Sequence, residues 1–204
     1  MSKKCLRPST VLGSGSLAAL AIAAGCSSQD EALGTTRSAA TVSPDLVISQ
    51  VYGGGGNSGA PYNADFVELF NRGTQPVSLA GKALQYGPAS GTFNTASNVA
   101  VLPEDKTVPP GGYFLVQLAP TPGANGAALP TPDHVVSMPV LMSATTGKVA
   151  LVEADNLLTC GSEENQCNPD DKIDLVGFGT AVQFETAPTV ALSNTTAAIR
   201  KNGG

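Results

Sequence analysis

The sequence predicts an all-β domain built as a sandwich of sheets, on three observations. Short runs of β-branched and aromatic residues recur from Leu46 onward, each long enough for a strand and too short for a helix with a repeating apolar face. Between them lie turn formers, 23 Gly and 15 Pro in 204 residues, a density that breaks helices and suits frequent chain reversals. Charged residues make up only 13% of the chain and nowhere mark the polar side of an amphipathic helix, so many short strands must share one core.

The chain opens with Lys3, Lys4 and Arg7 ahead of an apolar run at 11–24. That is the pattern of a secretory signal peptide, too short to cross a membrane as a helix. Within it, Ala23-Ala24-Gly25-Cys26 resembles a bacterial lipobox, which implies that Cys26 is acylated and becomes the mature N-terminus. Ordinary cleavage after an Ala-x-Ala site is the alternative, leaving Cys26 or a later residue near a free end. Acyl chains contribute ~0.8 kcal/mol per buried CH₂, so a multiply acylated Cys26 would anchor the protein with no spanning helix. Ser27, in place of Asp, is similar to lipoproteins sent on to an outer membrane. The expected organisation is a signal peptide at 1–25, a lipid-anchored flexible tether rich in Ser, Thr and Ala at 26–44, and a β domain at 45–204. The expected location is the cell envelope, with secretion as the alternative.

The leader carries three of the eleven basic residues and none of the sixteen acidic ones, leaving eight against sixteen and a formal charge of −8. Such a surface repels phosphate, so nucleic acid is not an expected partner. Arg200-Lys201, the one basic pair that stands out, reads as a solvated chain end.

Strands are expected at 46–52 and 65–71, separated by Gly53-Gly54-Gly55-Gly56-Asn57 and a further Ser-Gly-Ala-Pro turn. Others follow at 83–86, led in by 77–79, then at 99–102 and at 113–118, whose mostly apolar run suits a central strand. Residues 134–140 read as an edge strand because Pro139 excludes a central one. Residues 147–153 and 173–179 complete the set. The opening I-S-Q-V-Y-G-G-G-G-N-S-G-A-P-Y-N-A-D-F-V-E-L-F-N resembles that of bacterial lamin-tail domains. The turn and strand at 109–116, the S-A-T-T-G-K-V-A-L-V at 143–152 and the closing S-N-T-T-A-A-I-R at 193–200 resemble elements of the same family. The resemblance implies an immunoglobulin-like β-sandwich with a mostly non-catalytic role. In that family the sequence usually continues past the closing motif, so a final edge strand is expected to be missing here.

Cys160 and Cys167 flank an acidic loop, and in an exported chain their simplest reading is a disulfide. Zinc would need two further ligands, and beyond Cys5 and Cys26 the chain offers only His134. Asp155, Glu163, Glu164, Asp170 and Asp171 are weak calcium candidates, without the spacing of a known calcium loop, and otherwise a solvated acidic surface. No cofactor is expected.

Catalysis has little to work with. His134, the one histidine, follows Asp133 in a Pro-rich loop, a neighbour pair rather than half of a triad. Asp65 and Glu68 point to opposite sides of their strand, against a paired-carboxylate site. Glu68, between Phe66 and Phe70, is expected to accept hydrogen bonds from a neighbouring backbone, with the glycine loop as a candidate donor. Gly53 to Asn57 form a long loop, expected to be mobile, and precede no helix or lysine that a phosphate cradle would need. Loops at the end of a sandwich still make this stretch a candidate ligand loop. The expected function is a non-catalytic surface binding, adhesion or scaffolding module, with an unknown protein or surface ligand as partner. The alternative implied by the resemblance is an accessory domain of a secreted nuclease or phosphatase, separated from its catalytic partner.

Overall fold

The computed structural model describes residues 43–120 and 125–201. The expected signal peptide, Cys26 and nearly all of the expected tether lie outside the described residues. The described residues form eleven strands: β1 (Leu46–Tyr52), β2 (Ala64–Asn71), β3 (Val77–Ser78), β4 (Lys82–Gly87), β5 (Val99–Val101), β6 (Thr107–Val108), β7 (Tyr113–Pro120), β8 (His134–Val135), β9 (Gly147–Glu153), β10 (Asp174–Phe178) and β11 (Ala198–Ile199). Among the described residues there is no α-helix, only short 3₁₀ turns at Ala96–Asn98 and Pro169–Asp171.

One sheet runs β11-β1-β2-β7-β8 and the other β10-β9-β4-β5, with β3 and β6 forming a two-stranded ladder. Alternation along β1, β2 and β7 sends Leu46, Ile48, Val67, Leu69, Phe114 and Val116 into the main core, where they join Leu84, Tyr86, Val149, Leu151 and Phe178 of the other sheet. The four-stranded sheet is covered on both faces. Its other side holds Ala83, Ala150, Val152 and Leu175 beneath Phe93, Leu158 and Cys167. This is why β9 is buried at every position except Glu153 and reads from Val149 to Val152 as a continuous apolar run rather than an alternating one.

β7 lies between β2 and β8, the inner position that its apolar run predicts. The expected edge strand at 134–140 is shorter: only His134–Val135 pair with β7, in parallel, and the chain then leaves the ladder before Pro139. At one edge of the five-stranded sheet, β11 pairs antiparallel with Gln50 and Val51 of β1. At the other end of the domain, Ser43 is already docked, its carbonyl accepting from the Arg72 guanidinium. A register shift between Ile48 and Gln50 leaves Ser49 unmatched in the β1–β2 ladder, a bulge that tucks its hydroxyl against β2.

Candidate functional site

The glycine stretch after β1 is a packing device before it is a loop. A Cβ on Gly53 would stand 2.4 Å from the Ser143 carbonyl oxygen, one on Gly54 2.7 Å from Asn194 Cα, and one on Gly55 2.0 Å from the Ala64 carbonyl carbon. Three neighbouring backbones therefore pass where side chains would be, and Gly56 adds a left-handed turn at φ 75°. The stretch expected to be mobile is instead tied on several sides. Gly56 N–H donates to Tyr62 O, Asn57 Nδ2 to Asn194 Oδ1 at 3.1 Å, and Asn194 Nδ2 to Ser58 O at 3.0 Å. Beneath it the rings of Tyr52, Tyr62 and Phe66 cluster at 5.3 to 6.1 Å, and the Tyr52 hydroxyl donates to Asn194 O. Of the candidate ligand residues, Gly53 and Gly54 are buried, Gly55 and Gly56 half-buried, and only Asn57 is exposed, with Ser58 and Gly59 beside it.

Asp65 anchors this arrangement. Its Oδ1 accepts Gly55 N–H and its Oδ2 accepts Met142 N–H, both at 2.8 Å, so one carboxylate joins the glycine loop to the segment leading into β9. Burial to 4% exposure pushes its carboxyl up to about 6, against the downward pull of the Met142 and Gly55 donors. The role expected of Glu68 thus belongs to Asp65. Glu68 Oε1 accepts the Ser49 hydroxyl at 2.7 Å on the outer side of β2. The reason is alternation along β2, which puts Asp65 on the same face as the core residues Val67 and Leu69 and Glu68 on the opposite face.

Arg200 is not the solvated chain end expected of it. Its Nη2 lies 2.9 and 3.0 Å from the two oxygens of Asp174, its Nη1 2.6 Å from Glu185 Oε2, and its Nε donates to Ile48 O at 3.0 Å. Asp174, whose side chain is wholly buried, also accepts Ile48 N–H at 2.7 Å. Burial raises its carboxyl more than Arg200 and the backbone donors Ile48 and Leu175 lower it. Lys148 is a further buried charge, inside β9 at 0% exposure, with no carboxylate bonded to it among the described residues. Its ammonium donates to the carbonyls of Pro88, Ala89 and Gly91 at 2.5, 3.2 and 2.6 Å and lies 5.3 Å from the Phe93 ring centroid. Burial lowers it to about 8.

Cys160 and Cys167 form the expected disulfide. Phe93 N–H donates to Cys160 O, and Gln183 brackets Cys167 with bonds to both its backbone groups, so the bridge secures the cover over the four-stranded sheet. The acidic candidates around it do not assemble. Asp155, Glu163, Glu164 and Asp170 are exposed, Asp171 caps the turn at Pro169–Asp171 through Asn168, and among the described residues no three His, Cys, Asp or Glu side chains are placed to hold a metal ion. Asp133 is equally committed: its Oδ2 accepts Leu115 N–H at 2.8 Å, capping the edge of β7 instead of orienting His134.

Sequence reasoning missed Asp65, Lys148 and Arg200 as anchors. The available signal was a charge set inside an apolar strand, as in Gly147–Glu153, where no alternation offers it a solvent face.

These features define an immunoglobulin-like β-sandwich whose buried ionisable groups fix its loops. The Lamin Tail Domain family model matches residues 39–194, more than half of the chain, and the chain belongs to that family. The family's immunoglobulin-like domains are not typically catalytic. A search of curated proteins finds no match.

Proposed function

We propose that the chain is a non-catalytic binding, adhesion or scaffolding module of the cell envelope, exported and held at a membrane by acylation of Cys26. One observation carries the reading: the buried acids are spent on structure, Asp65 on two backbone N–H groups and Asp174 on Arg200 and Ile48. A catalytic carboxylate must be free to exchange protons with a substrate, and these are not. Fixed loops on a two-sheet frame serve recognition better, because a pre-ordered surface loses less entropy on binding. The lipobox-like Ala23-Ala24-Gly25-Cys26 supports the anchor.

The intact mass of the protein from the membrane fraction of its own cells tests this. A chain beginning at Cys26 and heavier by acyl groups is the expected result. A soluble, unacylated form would remove the anchor and favour a diffusible accessory domain.

A further inference from the structure

The four-stranded sheet ends at β5 in an edge whose backbone groups are open. Leu102 N–H donates to Lys82 O at 2.9 Å, so these two residues form a hydrogen-bonded pair at the end of the β4–β5 ladder. Bonded and non-bonded pairs alternate along an antiparallel ladder. Ala100 therefore bonds inward to Leu84, while Val101 turns its N–H and C=O away from the sheet and Val99 turns its C=O the same way. Among the described residues nothing bonds to these three groups. The opposite edge of the same sheet is finished by its own chain: Thr189 N–H donates to Gly177 O of β10, and Gly179 N–H to Thr189 O.

An apolar pocket lies beside the open edge. Ala100 points into the main core, so Val99 and Val101 share the outer face, and Val101 is 60% exposed. Val99 lines a cavity of 160 Å³ together with Phe93, Ala96, Leu157 and Leu158. An apolar cavity of about 150 Å³ accepts a guest the size of benzene, so this one has room for an aliphatic side chain. Gln85 of β4 fixes two of the walls, its Oε1 accepting Leu158 N–H at 2.8 Å and its Nε2 donating to Phe93 O at 3.5 Å. Outward N–H and C=O groups in a row select an extended chain, which presents the complementary groups in the same alternation. Same-face side chains on such a chain recur every ~6.8 Å, so one opposite Val99 reaches the pocket while the next lies against Val101. Charge narrows the choice. Exposed Glu104 and Asp105 follow the edge and exposed Asp155 precedes Leu157, against the single Lys106, while Glu153 is already paired with Lys82. A second copy of this acidic chain is repelled there, and a basic segment is attracted.

We propose that β5 is a docking edge for an extended, basic segment of a partner protein, which adds a strand to the sheet, seats an aliphatic side chain in the pocket beside Val99 and carries Lys or Arg toward Glu104, Asp105 and Asp155. The proposal rests on the binding-module reading and names where that module binds and what it takes. A displayed library of random dodecapeptides, selected on the full chain, supplies the probes. The selected peptides combine alternating aliphatic residues with Lys or Arg, and they protect the Val101 amide from hydrogen exchange. Val101→Pro removes the outward N–H and no inward bond, so circular dichroism is unchanged and affinity falls ~10-fold or more. Leu157→Ser, at an exposed wall of the pocket, weakens the same peptides several-fold. A library that yields no binder, or binders held equally by either variant, overturns the proposal. So does a Val101 amide already protected in the free chain, which would mean that the chain covers its own edge, or a dimer that Val101→Pro dissociates in sedimentation, which would make a second copy the occupant. Retention on isolated cell envelopes separates this from the reading beneath it. A chain that holds envelopes as well with Val101→Pro as without it loses the edge site and keeps the surface-module role; a chain that holds neither envelopes nor peptides loses both.

Discussion

Replacing Arg200 with methionine tests the buried ion pair most directly. The arginine side chain is 17% exposed and Asp174 is completely buried, so the substitution keeps most of the apolar stem and leaves a carboxylate in the interior with only the backbone N–H groups of Ile48 and Leu175 in place of a guanidinium. Removing one partner of a buried pair costs about 3–5 kcal/mol, chiefly from the stranded charge. The lost bonds to Ile48 O and Glu185 act in the same direction. Against a domain stability of ~5–15 kcal/mol, that is roughly a fifth of the total or more. Urea denaturation followed by far-UV circular dichroism and tyrosine fluorescence, the chain having no tryptophan, reads the change at pH 7. Asp174→Asn combined with Arg200→Met removes the stranded charge, and the double variant should recover at least about 2 kcal/mol relative to Arg200→Met alone. Acid should shrink the penalty of the single variant, since a protonated Asp174 needs no counter-charge. A loss below about 1 kcal/mol at pH 7, or a double variant no more stable than Arg200→Met, would refute the assignment of Arg200 as the partner that makes burial of Asp174 tolerable.

Three further outcomes are expected. Gly55→Ala places a methyl 2.0 Å from the Ala64 carbonyl carbon and should cost about 2–3 kcal/mol or more by thermal melting, whereas Gly59→Ala, with open space around it and only the strain of φ +77°, should cost ~1 kcal/mol. Replacing Cys160 and Cys167 with serine should lower stability by ~2 kcal/mol, the loop-closure entropy of a bridge seven residues apart, and hydrogen exchange should show the Phe93 amide losing protection. Carbon-detected NMR should find the Asp65 carboxyl titrating at about 6 in the folded protein. Because that lies above the ordinary 3.8, the folded state holds the proton more tightly than the unfolded one. The wild type should therefore gain ~3 kcal/mol relative to Asp65→Asn as pH falls from 7 to below 4, with the change centred between 3.8 and about 6. A difference independent of pH would show that Asp65 is not the titrating group.

The strands were legible wherever side-chain pattern alone decides them. Leu46–Tyr52 and Gly147–Glu153 match the expected limits, because a β-branched run bounded by glycine or an acid has one reading. The two-residue ladder of β3 with β6 and the parallel pairing of β8 were not legible, since so short a pairing is set by what lies across the fold and not by local pattern. Of the buried charges only Lys148, set in a strand with no solvent face, carried a local signal; the others were illegible for the same reason. Arg200 finds Asp174 across 26 residues and Ile48 across 152, so inspection of Arg200-Lys201 alone could suggest only a solvated end. Asp65 was visible as an acid on a strand, but its two backbone donors come from loops whose path the sequence leaves open.

What these hidden anchors share explains how a chain so rich in glycine and proline holds long connections in place. Ordering a loop costs roughly 1–2 kcal/mol per residue, and loops such as 53–63 or 88–98 bury few large apolar side chains to offset it. The fold sends charged side chains out of its strands to collect the loops' own backbone groups. Asp65 gathers N–H groups from two segments, Lys148 gathers three carbonyls from 88–91, and Arg200 ties the last strand to β1. Hydrogen bonds to charged groups are worth about 1.5–3 kcal/mol each, more than neutral ones, and a single side chain here makes two or three. Burial of a lone charge is the cost, visible in the raised carboxyl of Asp65 and the lowered ammonium of Lys148. Such anchors fix loops in one arrangement on the sheets, and a surface so fixed favours recognition over turnover, where loops would have to open and close.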